Sequence, residues 1–217
     1  MLSTIEQQMR AAANIDFYYS IGSRYSYLAS TQIATLKKAT GCDVEWHPIN
    51  SVRLINQRES SPFEGELSGQ YEWNYRELDA KRWAKLYGVP YLEPRGRVHF
   101  DSELLARACI AAKHFGKVAE YSRLLFAAMF QDSRSQIDER ESTLRAEACG
   151  ISAIDFDVAL RAQETIAQSD ATIDRAVHAG VFGVPTFIAH GELFWGNDRL
   201  ILLRHYLKSQ QNIIPST

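Results

Sequence analysis

The sequence of 217 residues is poor in cysteine and lacks any long apolar run. Cys42, Cys109 and Cys149 lie far apart, so they form neither a C-x-x-C pair nor zinc-ligand spacing, and their odd number argues against a disulfide framework. No stretch approaches the roughly 20 apolar residues that span a bilayer, and the first residues lack the apolar core of a secretory signal. We therefore expect a cytoplasmic protein with no membrane partner.

Strong charge and the common catalytic motifs are missing as well. The net charge of −2 gives no electrostatic reason to expect nucleic acid as a partner. The six histidines are scattered without a pair at ligand spacing, so no metal site is predicted. The chain also has no Gly-rich phosphate loop and no evident Ser-His-Asp set.

Residues 15–29 have the pattern of a strand, a turn and a helix. Apolar residues alternate with others, as in a strand, at Ile15, Phe17, Tyr19 and Ile21. Gly22 interrupts the alternation, and Ser23 stands where a helix N-terminus begins. In thioredoxin-like proteins this turn carries C-x-x-C, whereas here the four positions read S-R-Y-S from Ser23 to Ser26. The turn therefore cannot exchange disulfides by itself, but its helix N-terminus can still hold the thiolate of another molecule.

Further along the chain, the pattern predicts a second strand, a long helical block, a hairpin and a last helix. The predicted elements are a helix that ends near Gly41, a strand at 44–49, an ordered loop at 50–69, helices at 75–87, 102–115, 118–130, 137–148, 152–163 and 171–179, a hairpin at 185–195 and a helix that starts at 196–198. This order predicts an α/β, thioredoxin-like fold with an all-helical domain inserted after the second strand. We assign 14–60 and 180–212 to the thioredoxin-like domain and 61–179 to the insertion.

Four segments occur in a recognisable order along most of the chain. They are FYYSIGSRYSYL at 17–28, DAKRWAKLYGVP at 79–90, GVPTF at 183–187 and FWGNDRL at 194–200. Together they resemble the family of kappa-class glutathione transferases and 2-hydroxychromene-2-carboxylate isomerases, the serine branch of the DsbA-like group. The resemblance implies a DsbA-like fold and a glutathione-dependent enzyme.

The resemblance also implies roles for matching positions. Ser23 would donate its hydroxyl to the sulfur of glutathione. The backbone of Val184, next to a cis Pro185, would pair with the peptide backbone of glutathione. Asn197 and Asp198 would bind its γ-glutamyl end. The alternative for Ser23 and Asp198 is a simple helix cap, since both residue types favour that position.

The sequence departs from the family pattern at positions that contact ligands. Arg24 stands where the family usually has proline. A gap-free alignment places Ser60, a candidate glutathione ligand, where the family often has asparagine, and Glu72 where it often has a lysine. Arg24 and Tyr25 are candidates for binding the substrate, Arg24 through a carboxylate. The alternative for Arg24 is a solvated surface arginine, and Ser26 is predicted to be structural.

A cluster of aromatic residues follows the predicted loop, at Tyr71, Trp73, Tyr75 and Trp83. Its members are expected either to line a pocket for an aromatic substrate or to pack between helices. An arginine at position 76 or 58 could replace the missing lysine.

The function predicted from these motifs is glutathione-dependent isomerisation of a 2-hydroxychromene-2-carboxylate-like compound. In the mechanism that the resemblance implies, the thiolate adds to the substrate, a bond rotates and the thiolate leaves. The alternatives are a kappa-like glutathione transferase and a non-catalytic thioredoxin-fold binding protein. The expected partners are a small aromatic carboxylate and a second copy in a homodimer.

Overall fold

The computed structural model describes residues 13–57, 72–132 and 134–212 of the chain. Its strands are β1 (Asn14–Tyr19), β2 (Asp43–Pro48), β3 (His99–Phe100), β4 (Gln136–Ile137), β5 (Thr186–Ala189) and β6 (Glu192–Trp195). Its helices are α1 (Arg24–Thr40), α2 (Ser51–Asn56), α3 (Trp73–Tyr87), α4 (Ser102–His114), α5 (Val118–Phe130), α6 (Glu139–Ala148), α7 (Ala153–Arg161), α8 (Gln163–His178) and α9 (Leu200–Asn212). A 3-10 turn at Asn197–Arg199 leads into α9.

The main sheet has four strands in the order β2-β1-β5-β6. Strand β1 pairs parallel with β2 and antiparallel with β5, and β5 forms the predicted hairpin with β6. Helices α2 to α8 lie between β2 and β5 in the chain, together with the short parallel pair β3–β4. This arrangement confirms the predicted thioredoxin-like fold with a helical insertion, to which the structure adds the small strand pair. The predicted domain boundary at 60 and 61 lies outside the described residues.

Strand β1 is buried on both faces of the sheet. Ile15, Phe17 and Tyr19 point into the larger core, which also contains apolar residues of α1, α4 and α5. Tyr18 points to the other side, into a smaller core that includes Ile173 of α8. Because successive side chains of a strand point to opposite faces of the sheet, those of β1 pack against the helices on both sides.

Helix α1 has clear end signals. Ser23 is its N-cap, and Gly41 ends it in the left-handed conformation with φ 68°, a value that glycine tolerates without cost. The helix packs against α3, α5 and α9. These contacts fix its N-terminus close to the C-terminal end of β1, where the predicted site lies.

Several predicted elements differ from the structure in extent. The predicted loop after β2 instead contains α2, which Asn50 caps by accepting hydrogen bonds from the backbone N–H groups of Val52 and Arg53. The predicted helix at 137–148 begins at Glu139, because Ile137 belongs to β4. The predicted helix at 171–179 is the second half of the longer α8. None of the described helices is both long enough and apolar enough to cross a bilayer.

Candidate active site

A pocket of about 430 Å³ lies between α3 and the loops that flank the β5–β6 hairpin. Its walls are Tyr25, Tyr75, Arg76, Asp79, Trp83, Val184, Pro185, Trp195, Gly196, Asn197, Asp198 and Arg199. Tyr25, Val184, Pro185, Asn197 and Asp198 were predicted as site residues, and the structure brings these five together. Ser23 and Arg24 precede Tyr25 on α1 but are not part of the pocket wall, and Ser60 lies outside the described residues.

Ser23 caps α1 with its own side chain. Its Oγ accepts a hydrogen bond of 3.2 Å from the backbone N–H of Ser26, so Ser23 does cap the helix, and its catalytic role stays a prediction. Accepting this bond leaves the hydroxyl proton free, because a hydroxyl has one donor and two acceptor positions. The buried Ser26 accepts a bond of 3.4 Å from the backbone N–H of Ser20, as expected for a structural residue. The first turn of α1 carries no acidic residue.

The turn that precedes Ser23 is covered by an aromatic ring. A Cβ atom built on Gly22 would lie 2.7 Å from Cζ of Phe100, on β3. Only glycine therefore fits at position 22 with the ring in this place. The chain between β2 and β5 thus contributes an apolar wall next to the candidate catalytic residue.

Arg24 is buried rather than solvated, so the surface alternative is wrong. Only 6% of the residue is exposed, and Nη2 donates a hydrogen bond of 3.0 Å to Glu93. The guanidinium carbon lies 5.4 Å from the ring centroid of Trp73. The other terminal nitrogen, Nη1, is buried and has no hydrogen-bond partner in the described structure. The role of Arg24 in substrate binding stays a prediction.

Tyr25 joins α1 to α3 within the pocket. Its hydroxyl donates a hydrogen bond of 2.9 Å to Asp79. Burial, together with this bond to a carboxylate, raises the pKa of Tyr25 to about 12. Tyr25 is therefore a neutral hydrogen-bond donor at physiological pH, and its proton is engaged by Asp79.

The Val184–Pro185 peptide bond is cis, as predicted. Two neighbouring contacts fix this loop against the hairpin. The carbonyl of Pro185 accepts a hydrogen bond of 2.9 Å from the N–H of Gly196, and the indole of Trp195 lies so close to Gly183 that an added Cβ would be 2.7 Å from its Nε1. The cis-proline loop and the entry to α9 therefore form one wall of the pocket.

Asn197 and Asp198 differ in how their side chains are engaged. Asn197 is 3% exposed, and its Nδ2 has no hydrogen-bond partner among the described residues. Asp198 is half-buried and forms an ion pair of 2.8 Å with Arg199. Gly196 precedes them with φ 112°, a conformation that residues with a Cβ rarely adopt. A buried donor without a partner is rare in proteins and suggests that a ligand atom normally satisfies it.

The predicted aromatic cluster divides between the two expected roles. Tyr75 and Trp83 line the pocket, and Trp83 also packs against the main core. Trp73 instead lies among guanidinium groups outside the pocket, and Tyr71 is not among the described residues. Sequence reasoning gave no role to Asp79, Trp195 or Arg199, although they lie inside the segments that carried the resemblance.

Comparison with known proteins identifies a matching protein family and similar enzymes. The model of the DSBA-like thioredoxin domain family matches residues 14–208. The chain is 31% identical over 205 residues to the 2-hydroxychromene-2-carboxylate isomerase of Sphingobium xenophagum, covering 89% of this chain and 97% of that protein. It is 27% identical over 190 residues to the enzyme of the same name from Pseudomonas putida, covering 87% and 91%.

Solved structures lead to the same group. A structure of a 2-hydroxychromene-2-carboxylate isomerase matches with a TM-score of 0.79 and 25% identity, over 94% of this chain and 100% of the other. The cytosolic disulfide reductase DsbM of Pseudomonas aeruginosa matches with a TM-score of 0.64 and 20% identity, over 93% and 100%. The second likeness shows the fold alone.

Proposed function

Because the chain belongs to the DSBA-like thioredoxin family, and within it to the family of 2-hydroxychromene-2-carboxylate isomerases, we propose that it isomerises an aromatic carboxylate of that kind with glutathione as its cofactor. The observation that carries this proposal is the pocket formed by the cis-proline loop and the entry to α9, with the unpartnered amide of Asn197 in its wall.

The residues of the pocket fit the groups of glutathione. The buried Nδ2 of Asn197 needs an acceptor, which a carboxylate or peptide carbonyl provides. Asp198 offers a partner for an ammonium group, since its carboxylate is half-exposed. Val184 and Pro185 line the same pocket, and in this proposal their backbone pairs with the peptide backbone of glutathione. A tripeptide with one ammonium and two carboxylate groups matches this set.

When bound, glutathione supplies a thiolate that adds reversibly to the conjugated substrate. The role of Ser23 in this proposal is to donate its free hydroxyl proton to that sulfur. A hydrogen bond to a charged group contributes about 1.5–3 kcal/mol, and a helix N-terminus adds about 0.3–1 kcal/mol. Because about 1.4 kcal/mol corresponds to one pKa unit, these contributions bring a thiol of pKa about 8.5 into the neutral range.

Disulfide exchange is disfavoured on the same residues. Ser23 and Ser26 occupy the positions of the two sulfurs in a redox-active turn. The three cysteines are buried, and burial raises the pKa of Cys109 to about 12, so little reactive thiolate forms there. We expect no insulin reduction by this protein. Turnover that survives replacement of all three cysteines by alanine would contradict this expectation.

Calorimetric titration with glutathione, followed by a spectroscopic assay with 2-hydroxychromene-2-carboxylate, tests the proposal. We expect binding at or below millimolar glutathione, and conversion of the substrate that depends on glutathione without consuming it. Accumulation of a stable conjugate would indicate a transferase instead. Absence of glutathione binding at millimolar concentration would contradict the proposal and favour a binding protein without catalysis.

A further inference from the structure

Three residues of α3 form a stripe along one face of the helix. Tyr75, Asp79 and Trp83 are spaced four positions apart, and residues at that spacing are neighbours on a helix surface. All three line the pocket. The carboxylate of Asp79 therefore lies between two aromatic side chains along the helix, in a wall that suits an aromatic ligand with polar oxygen atoms.

The carboxylate of Asp79 is joined to a phenol. The hydroxyl of Tyr25, in the same pocket wall, donates a hydrogen bond of 2.9 Å to it. Because the single proton of this hydroxyl is given to Asp79, the oxygen offers only its acceptor positions to a ligand. A ligand hydroxyl is the complementary group, since it would donate to Tyr25 while Tyr25 donates to Asp79.

Isomerisation about a double bond inside a ring requires the ring to open first. In 2-hydroxychromene-2-carboxylate the hydroxyl and the ring oxygen share one carbon atom, C2, so the compound is a cyclic hemiketal. Its C3–C4 double bond belongs to the same six-membered ring, which prevents rotation until the bond from C2 to the ring oxygen breaks. That opening removes the proton of the hydroxyl and supplies a proton to the ring oxygen. These proton transfers need no thiolate.

We propose that this protein opens the hemiketal ring itself, with Tyr25 as the catalytic residue and Asp79 as the positioning residue that receives its proton; the identity of the substrate rests on the function proposed above. The proton of the substrate hydroxyl passes to the oxygen of Tyr25 as the proton of Tyr25 passes to Asp79. The electron pair left on the substrate oxygen forms the C2 carbonyl, and the ring oxygen leaves C2 with the electron pair of the broken bond, as a phenolate.

The return of the proton completes the step. The phenolate takes a proton from Tyr25, which recovers its own from Asp79, so both residues end as they began and no co-reactant is consumed. One phenol oxygen can serve both substrate oxygens because they are attached to the same carbon. A neutral tyrosine suits this relay, since burial and the bond to Asp79 keep its pKa at about 12.

Other carboxylates near the pocket are less suited to the role. Among the described residues of the pocket wall, Asp79 and Asp198 carry the carboxylates, and Asp198 forms an ion pair with Arg199. A second tyrosine–carboxylate pair exists, in which Tyr91 donates a hydrogen bond of 2.6 Å to Glu93, but neither residue lines the pocket. Tyr91 is therefore a matched control for Tyr25.

The saturated analogue 2-hydroxychroman-2-carboxylate separates ring opening from the chemistry of glutathione. It keeps the hemiketal but has no conjugated double bond to which a thiolate can add. Carbon-13 exchange spectroscopy without glutathione measures how fast C2 converts between its ring-closed form and its ketone form, with each protein saturated by the analogue. Circular dichroism and calorimetric binding of the analogue check that each variant is folded and occupied.

We expect the wild type to accelerate opening about 100- to 10,000-fold over buffer, the range of a positioned acid–base group. Tyr25→Phe and Asp79→Asn should each lose most of this acceleration, and the double variant should lose no more, because the two groups act as a unit. Asp79→Glu should recover part of the loss. Tyr91→Phe should match the wild type, as should Glu77→Gln, whose carboxylate is on α3 but outside the pocket wall and paired with Lys81.

The proposal and the proposed function can fail separately. No acceleration by the wild type, or full acceleration in Tyr25→Phe, would overturn the proposal, and so would losses that add up in the double variant, since Asp79 would then act independently of Tyr25. Opening of the analogue by a protein that binds no glutathione would contradict the proposed cofactor alone. Glutathione-dependent isomerisation without accelerated opening would contradict the ring-opening proposal alone.

Discussion

The two helix N-termini of the thioredoxin-like core are built in opposite ways. Helix α1 follows β1, is capped by the neutral Ser23 and has no acidic residue in its first turn. The 3-10 turn before α9 follows β6, has no side-chain cap and carries Asp198 in its first turn. Free backbone N–H groups favour an anion, and a carboxylate among them favours a cation.

This difference gives a zwitterionic ligand one preferred direction. In the proposed function, the thiolate of such a ligand binds at α1 and its ammonium group binds at Asp198. The first end depends on a side-chain hydroxyl that also caps the helix, and the second on a backbone shape that only glycine allows. Substitutions at the two ends should therefore have different signatures.

The largest effect is expected from Ser23→Ala, at the end of the site that is proposed to bind the thiolate. Loss of the hydroxyl should raise the pKa of the bound thiol by roughly one to two units, because about 1.5–3 kcal/mol of hydrogen bonding to the thiolate disappears. Activity at neutral pH should fall about 10- to 100-fold and recover partly at higher pH. The measurement is the thiolate absorbance of bound glutathione as a function of pH.

Ser152→Ala is the matched control, because Ser152 caps α7 by accepting a hydrogen bond of 3.1 Å from the N–H of Asp155. Both substitutions should cost about 1 kcal/mol of stability through the lost cap. Only Ser23→Ala should shift the titration of the thiol. Identical titration curves for wild type and Ser23→Ala would reduce Ser23 to a helix cap.

Gly196→Ala should disturb the other end through the backbone. The new Cβ would lie 2.4 Å from Oδ1 of Asp198, at a residue with φ 112°. We expect the free energy of unfolding to fall by about 2 kcal/mol, as measured by urea denaturation.

Gly41→Ala separates the effect of backbone conformation from that of crowding. Gly41 has φ 68°, and nothing lies within 4 Å of an added Cβ. Its substitution should cost about 1 kcal/mol. If Gly196→Ala costs no more than this, contact with Asp198 does not constrain the entry to α9.

Asp198→Asn removes the negative charge from the end of the site that is proposed to bind the ammonium group. We expect glutathione to bind about 5- to 10-fold more weakly, a modest loss because the side chain of Asp198 is 43% exposed and partly screened. Calorimetry with glutathione and with an analogue that lacks the α-amino group provides the test. Asp198→Asn should leave the affinity for the analogue unchanged, and Asp157→Asn on α7 should affect neither ligand.

The smallest effect is expected from a group remote from both ends. His47 is buried on the α8 side of the sheet, stacked on Tyr18, and 2.7 Å from Oδ1 of Asp16. Burial lowers its pKa, while the nearby carboxylates of Asp16 and Glu45 oppose this shift and the ammonium of Lys113 adds to it.

A base with a lowered pKa binds fewer protons in the folded than in the unfolded protein. The stability that it contributes is present above the unfolded pKa and is lost as the pH falls through the folded pKa. Wild-type unfolding in urea should therefore be easier at pH 5 than at pH 7.5, and His47→Gln should show a smaller difference. A pH dependence that is the same in the variant would assign the effect to other groups.

Local signals predicted the core of the fold well. Ser23 and Gly41 bracket α1, and the context of Pro185 predicted its cis peptide bond. Both features depend on residues that are close in the sequence. Helix α2 was missed because it is only six residues long and precedes a polar stretch. Contacts from distant elements stabilise it, such as the ion pairs of Arg53 with Glu103 and Asp170.

The charge distribution of the site was less predictable. Arg24 and its partner Glu93 are separated by 69 positions in the chain, so no local pattern shows that the arginine is buried and paired. The same holds for the bond between Tyr25 and Asp79. The sequence indicated which residue types surround the site, but which charges remain unpaired emerges only from tertiary contacts.

The ring of Phe100 above Gly22 has a consequence for how this protein can be simplified. A minimal variant in which a short linker replaces residues 61–179 would keep Ser23 and the cis-proline loop. It would also lose the aromatic cover over the turn, together with Arg76 and Asp79 of the pocket wall. If glutathione binds as proposed, a thioredoxin-sized remnant would thus expose its sulfur to water. The helical insertion is therefore as much a part of the enzyme as the thioredoxin-like fold that it interrupts.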